Sequence, residues 1–140
     1  MKKAVLYARV SSDEQEREGF SIPAQVKYLR DYALKNDIAI VKEFTEAETA
    51  KQSGRKEFNA MIKYLKSSKD VNTILVEKTD RLYRNFKDYG TLGEEDFEIH
   101  LVKENEVIGK NASSHQKFIH GIKVLMAKNY IDNLREETMK

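Results

Sequence analysis

Arginine and serine side chains recur in three separate segments of this 140-residue chain. Arg9 and Ser11 follow an apolar run near the N-terminus, Arg55 ends a long polar stretch, and Arg81 and Arg84 lie close together further on. An arginine fork matches the oxygen atoms of a phosphate and stays charged at any working pH. A serine beside several arginines could attack phosphorus while the arginines neutralise the charge that develops. The combination therefore indicates phosphoryl-transfer chemistry.

An alternation of strands and helices must bring these segments together. Apolar runs predict strands at 3–10, 38–41, 71–76 and 97–102, with 107–108 as a possible short partner. Helices are predicted after the cap residue Ser21, with Pro23 in the first turn, then around 58–65, and from Thr79 through Tyr89. The polar stretch 43–54 is predicted to be a long loop. This order predicts the α/β class with a mostly parallel sheet, whose ligands bind beyond the carboxyl ends of the strands.

The C-terminal segment has a pattern of its own. Ser113 to Gln116 has the form of a capping box, and apolar residues then recur in steps of four as Phe118, Ile122, Met126, Tyr130 and Leu134. A helix of that length would be about 36 Å long. We expect a catalytic domain at 1–112 and, at 113–140, a long helix that pairs with a second copy of the chain. The alternative is that the apolar stripe folds back into the core.

Composition limits the function classes. The net charge is only +2, so any contact with nucleic acid must come from a local cluster of basic side chains. The chain has no cysteine, and its three histidines lack the i, i+4 spacing of a helical metal site, so a zinc site is not expected. No apolar stretch approaches the roughly 18 residues of a membrane-spanning helix. The chain is therefore expected to be soluble and cytoplasmic.

Three motifs resemble those of the serine recombinases, the resolvase/invertase family. Residues 7–12 (YARVSS) resemble the opening signature of that family, and Gln25 fits the glutamine on its first helix. Residues 50–55 (AKQSGR), followed by Phe58 and Met61, resemble the second motif, and residues 80–84 (DRLYR) resemble the third. The three motifs occur in the order of the family, and residues 85–107 look closest to the large serine recombinases of phages and mobile elements.

The resemblance implies a three-layer, Rossmann-like catalytic domain for site-specific recombination of double-stranded DNA. Ser11 would attack a DNA phosphate and keep the 5′ end as a phosphoserine, without a metal or other cofactor, in a homodimer that assembles into a tetramer through the C-terminal helix. The resemblance implies that Arg9, Arg55, Arg81 and Arg84 bind the phosphate. It also implies that Gln25 and Asp80 support the active site. Candidates for further contacts to DNA are Ser12, Lys123, Lys128 and Arg135, although Ser12 could instead bond to the backbone and the three basic residues could simply face water. The resemblance also implies a separate DNA-binding region, which we do not expect to find within these 140 residues.

Several of these residues also have a plainer interpretation, although a charge such as Arg9 at the end of a buried strand usually has a partner or a task. Ser11 and Ser12 could be turn residues, and Gln25 an ordinary surface residue. Arg81 and Arg84 could form a solvated face paired with Glu77 or Asp88, Asp80 could be only a helix cap, and Tyr7 and Tyr83 could simply pack in the core.

Two other functions remain open from the sequence. The chain could be a non-catalytic module that binds phosphate-containing ligands, in which case the arginines only bind. It could also be a metal-dependent phosphatase or nuclease, although no carboxylate cluster follows the strands.

Overall fold

The computed structural model describes residues 1–11, 21–48, 56–83, 86–93, 97–109, 120–122 and 124–126. The strands are β1 (Lys2–Ser11), β2 (Ile38–Glu48), β3 (Thr73–Val76), β4 (Glu98–Leu101) and β5 (Glu106–Ile108). The helices are α1 (Ile22–Lys35), α2 (Lys56–Ser67), α3 (Thr79–Leu82) and α4 (Phe86–Gly93), and a 3₁₀ turn spans Val102–Glu104. The strand order β2-β1-β3-β4-β5 is parallel except for β5, which pairs antiparallel with β4. The α/β class with a mostly parallel sheet is confirmed.

Helices cover both faces of the sheet because alternate residues of each buried strand point to opposite sides. Val5 and Tyr7 of β1 pack in a cluster with α2 and α4, whereas Ala4, Leu6 and Ala8 pack with α1. This arrangement gives the three layers that were expected. Ser21 caps α1 as predicted, with its Oγ accepting a hydrogen bond from Ala24 N at 3.2 Å.

Two elements differ from the sequence-based prediction. Strand β2 continues to Glu48, so residues 43–48 are strand rather than loop. The single helix expected from Thr79 to Tyr89 is wrong, because α3 ends at Leu82 and Tyr83 adopts an extended conformation before α4 begins. The hydroxyl of Tyr83 lies 2.8 Å from Nε2 of the buried His120, a partner from a distant segment.

The C-terminal segment is described only in part. Residues 120–122 and 124–126 are helical, and the remainder of the long helix predicted for 113–140 lies outside the described residues. Val124 packs in the core, whereas Ile122 and Met126, both in the predicted stripe, are exposed. The alternative that the stripe folds into the core is therefore wrong at these two positions.

A chain of polar contacts closes the amino-terminal edge of the sheet. Tyr32 Oη lies 2.7 Å from His100 Nδ1, and His100 Nε2 lies 2.9 Å from Glu98 Oε2, which also accepts a hydrogen bond from Lys2. Burial, together with the charge of Glu98, raises the pKa of Tyr32. Among the described residues, no helix has the length and apolar character needed to cross a membrane.

Candidate active site

The carboxyl ends of the parallel strands collect the charged groups of the candidate site. Strand β1 ends at Arg9–Ser11, and its neighbour β3 leads directly into Glu77 and the α3 turn. Strand β4, on the other side of β3, leads into the 3₁₀ turn that carries Lys103 and Glu104. The segments with Arg9 and Arg81 are therefore adjacent because their strands are adjacent, which is where ligands bind in sheets of this kind.

Gln25 holds the end of β1 in place. Pairing between β1 and β3 ends at Tyr7. Two residues later, the side-chain amide of Gln25 forms hydrogen bonds with the backbone of Arg9. Its Nε2 donates to Arg9 O at 2.9 Å, and its Oε1 accepts from Arg9 N at 3.2 Å. The residue is fully buried, so the interpretation of Gln25 as ordinary surface is wrong. An amide can do this because it carries a donor and an acceptor side by side, like a peptide group.

The side chains of Arg9 and Arg81 each donate a hydrogen bond to the backbone carbonyl of the other residue. Arg9 Nε donates to Arg81 O at 3.1 Å, and Arg9 Nη2 donates to Asp80 O. In return, Arg81 Nη1 donates to Arg9 O at 3.3 Å. Each guanidinium is thus oriented by the carbonyl group of the other segment, so the two positive charges stand together at one edge of the sheet despite their mutual repulsion.

Arg81 lies in the interior of the site. Its side chain is only 3% exposed, and Nε lies 3.7 Å from Oε1 of Glu77, which is equally buried. The interpretation of Arg81 as part of a solvated face is therefore wrong. The pairing with Glu77 that this interpretation included is nevertheless present. Asp80 differs: its side chain is 50% exposed and lies 4.0 Å from Lys78 Nζ.

The start of α3 is capped from another element. Lys78 occupies the N-cap position without a capping side-chain bond, so Asp80 is not the cap. Glu104 supplies the acceptors: its carboxylate accepts from the backbone N–H of Thr79 and, at 2.9 Å, from the Thr79 hydroxyl. The 3₁₀ turn therefore holds the segment that carries Asp80 and Arg81.

Glu46 is a buried acid that sequence reasoning did not identify. Its Oε2 accepts a hydrogen bond from the Tyr7 hydroxyl, and its Oε1 accepts from the backbone N–H of Glu57 at 2.9 Å in the first turn of α2. Glu46 thereby ties β1, two residues before Arg9, to the start of α2. Tyr7 is buried as expected and also packs edge-on against Phe58, with ring centroids 5.9 Å apart.

The structure therefore brings together four of the predicted site residues: Arg9, Gln25, Asp80 and Arg81. For Ser11 it describes the backbone as the last residue of β1, paired in register with Glu48. The Ser11 side chain lies outside what is described, as do Ser12, Arg55, Arg84, Lys123, Lys128 and Arg135. Among the described residues, no group of three or more His, Asp or Glu side chains could hold a metal ion.

Three acids that support the site, Glu46, Glu77 and Glu104, were missed or left as surface partners. The position of Glu77 could have identified it, because Glu77 directly follows the apolar run of β3. It therefore lies at the end of the sheet where ligands bind. Glu46 and Glu104 carried no such signal, because each acts on an element that is distant in the sequence.

Comparison with known proteins gives a consistent result. Residues 4–140 match the family described as "Resolvase, N terminal domain". The N-terminal catalytic domain of TP901-1 integrase is 25% identical with a TM-score of 0.66, and the match covers 96% of this chain and 99% of that chain. A resolvase family site-specific recombinase from Streptococcus pneumoniae is 28% identical with a TM-score of 0.69, covering 99% and 94%.

A third structure shares the fold. The C-terminal catalytic domain of ISC1926 TnpA, an IS607-like serine recombinase, is 20% identical with a TM-score of 0.56, and 99% of each chain is covered. No curated protein sequence shows a significant match to the chain.

Proposed function

This chain belongs to the family of resolvase N-terminal domains, and from that premise we propose that it cleaves and rejoins DNA with Ser11 as the nucleophile. It is the catalytic domain of a site-specific DNA recombinase. One observation carries the assignment of the site: Arg9 and Arg81 donate hydrogen bonds to each other's backbone carbonyl groups at the end of the strand that terminates in Ser11.

In the proposed reaction, the Ser11 oxygen attacks the phosphorus of a DNA phosphodiester. A bond forms between Oγ and phosphorus, the bond from phosphorus to the 3′ oxygen breaks, and the serine proton ends on the released 3′ hydroxyl. The 5′ end stays on the protein as a phosphoserine. Attack by a 3′ hydroxyl on this phosphoserine reverses the step and rejoins the strand, so the energy of the phosphodiester is retained and no nucleotide is consumed.

The arginines supply the electrostatics of this reaction. Arg9 and Arg81 would bind the phosphate oxygens and stabilise the extra negative charge of the transition state, together with Arg55 and Arg84 from the neighbouring segments. Loss of one such donor typically costs about 2.7–4 kcal/mol of transition-state stabilisation, or roughly 100–1000-fold in rate. Gln25 would act by holding the Arg9 backbone, and Asp80 by its backbone carbonyl, which accepts a hydrogen bond from Arg9 Nη2.

The test is a covalent adduct. The protein in its full natural length is incubated with DNA that spans the boundary of the genetic element encoding it, and products are separated under denaturing conditions. We expect an adduct with the wild type, none with Ser11→Ala, and a normal yield with Ser67→Ala, a control hydroxyl on the surface of α2. After nuclease and protease digestion, mass spectrometry should find the residual nucleotide on the peptide that contains Ser11.

Two results would contradict the assignment. An adduct of normal yield with Ser11→Ala would show that Ser11 is not the nucleophile. A folded wild type that binds the boundary DNA tightly but never forms an adduct would favour the non-catalytic phosphate-binding module, and cleavage that stops with a chelator would favour a metal-dependent nuclease.

We also propose that residues 113–140 form the interface through which two copies pair before a tetramer assembles on double-stranded DNA, in the cytoplasm. The support comes from the burial pattern of residues 120–122 and 124–126: His120 and Val124 are buried against their own domain, whereas the apolar side chains of Ile122, Leu125 and Met126 are exposed. Sedimentation velocity should show a dimer that the double variant Leu125→Glu/Met126→Glu converts to a monomer. A control, Leu34→Glu at the exposed end of α1, should remain dimeric, and an unchanged double variant would refute this interface.

A further inference from the structure

A buried carboxylate stands directly behind Arg81. Glu77 is almost fully buried, and its two oxygen atoms face two different cations: Oε1 lies 3.7 Å from Arg81 Nε and Oε2 lies 3.4 Å from Lys103 Nζ. The first distance is that of an ion pair rather than a hydrogen bond. Lys103 is about half exposed and also lies over the ring of Tyr28, 5.2 Å from its centroid. The three charges thus connect the interior of the site to the surface.

The backbone in this region does not depend on the Glu77 carboxylate. Glu104 holds the start of α3 through Thr79, and the backbone N–H of Lys103 donates to Glu77 O at 2.9 Å. Neither contact uses the Glu77 carboxylate, so we expect both to remain when that side chain is made neutral. What the carboxylate adds is a fixed negative charge beside the Nε edge of the Arg81 guanidinium, while Nη1 on another edge donates to Arg9 O.

We propose that Glu77 is a positioning residue for Arg81, and that Lys103 holds the Glu77 carboxylate in the orientation that this requires. A buried carboxylate loses much of its hydration, and pairing it with cations on both sides restores part of that loss only when the geometry is fixed. The pair therefore sets the direction in which the Arg81 fork points. The catalytic part of this inference rests on the proposed function, because it takes Arg81 as a ligand of the DNA phosphate.

The change that tests the inference is Glu77→Gln, which keeps the shape of the side chain and removes its charge. We expect the rate constant for adduct formation at saturating DNA to fall by about 10–100-fold, because displacement of a catalytic group by about 1 Å can cost 100-fold. The affinity for DNA should change little, because it comes mostly from phosphate contacts distributed over the whole interface. Lys103→Met should act in the same direction but less strongly, because its ammonium group is partly screened by solvent.

A second measurement reports on Arg81 without any reaction. The ¹⁵Nε–¹Hε resonance of Arg81, assigned by its absence in Arg81→Lys, should shift and its proton should exchange faster with water in Glu77→Gln. Glu43→Gln serves as the matched control, because Glu43 also pairs with an arginine, Arg30, but on the outer surface of α1 and β2. That control should leave both the rate constant and the Arg81 resonance as in the wild type.

The outcomes separate the two proposals. A wild type without adduct, with an Arg81 resonance that still responds to Glu77→Gln, would overturn the proposed function but support the positioning contact. A wild type that forms the adduct, with Glu77→Gln unchanged in both measurements, would overturn the positioning role alone. If Glu77→Gln does not fold, Lys103→Met decides, since an unchanged rate constant and resonance in that surface variant would equally overturn it.

Discussion

Replacing Gln25 by leucine tests whether a side-chain amide substitutes for a missing strand at the end of β1. Leucine has a similar size and suits a buried helix position, so the change removes the hydrogen bonds to Arg9 N and Arg9 O without opening a large cavity. Arg9 N loses its acceptor at 3.2 Å, and Arg9 O loses the donor Gln25 Nε2, while Arg81 Nη1 still donates to it.

The expected cost follows from these two groups. A buried N–H that loses its acceptor costs about 1–3 kcal/mol, and the carbonyl, which keeps a second donor, loses a typical hydrogen bond of about 0.5–1.5 kcal/mol. We therefore expect Gln25→Leu to lower the free energy of unfolding by about 1.5–4.5 kcal/mol in urea titrations, with an unchanged dependence on urea. The control is Lys27→Leu, which introduces the same residue at an exposed position of α1 and should stay within about 0.5 kcal/mol of the wild type.

Hydrogen exchange gives the local counterpart of this measurement. The amide proton of Arg9 should exchange faster in Gln25→Leu by roughly 5–150-fold, the ratio that corresponds to about 1–3 kcal/mol. Protons in the centre of α1 should change only as much as global stability does. If Gln25→Leu is as stable as the wild type and the Arg9 proton remains equally protected, the amide does not hold the end of β1 and the reasoning fails.

Three further predictions concern the fold around the site. Leu6→Ala removes a fully buried side chain from the α1 face of the sheet and should cost about 2–5 kcal/mol of unfolding free energy in urea, whereas Leu34→Ala, at an exposed position, should cost far less. Burial alone would raise the pKa of Glu98, but the hydrogen bonds and charges of its lysine and histidine partners outweigh burial and hold that pKa below its ordinary value of 4.5. A lowered folded-state pKa stabilises the protein above 4.5 and loses that contribution as the pH falls through the folded-state value, so Glu98→Gln should flatten this part of the profile of melting temperature against pH; an unchanged profile would contradict it. Tyr83→Phe removes the hydroxyl 2.8 Å from the buried imidazole of His120 and should cost about 1–3 kcal/mol in the same titration, and a neutral result would show that this contact does not hold the C-terminal segment.

The sequence was a good guide wherever hydrophobic periodicity alone decides the structure. The four parallel strands and the helices α1 and α2 follow from apolar runs and stripes that bury themselves on the sheet. The second half of β2 could not be found in this way, although Phe44 and Glu46 point inward and their neighbours Glu43, Thr45 and Ala47 point outward. A glutamate at an inward position hides the alternation, and its burial is possible only because Tyr7 and the start of α2 provide hydrogen-bond donors.

The break after α3 has the same kind of cause. Leu82 and Tyr83 are consecutive and both buried, and the helical pattern through Tyr89 indicated one continuous helix. The extended conformation at Tyr83 places its hydroxyl beside His120, and no spacing rule reports a contact between residues so far apart in the chain. Local patterns therefore predict which elements exist but not where long-range polar contacts interrupt them.

The candidate site shows the same division between local and distant information. Residue type and position predicted that Arg9 and Arg81 would meet, because strand ends at one edge of a parallel sheet converge. Their orientation comes instead from partners on other elements: Gln25 on α1 and Glu77 with Lys103 behind α3. Two guanidinium groups that hold each other's backbone carbonyl groups cannot move independently, so a change that displaces one should displace the other. The buried amide and the buried carboxylate thus control the geometry of both arginines, and mutations at these supporting residues should alter the chemistry without touching the DNA.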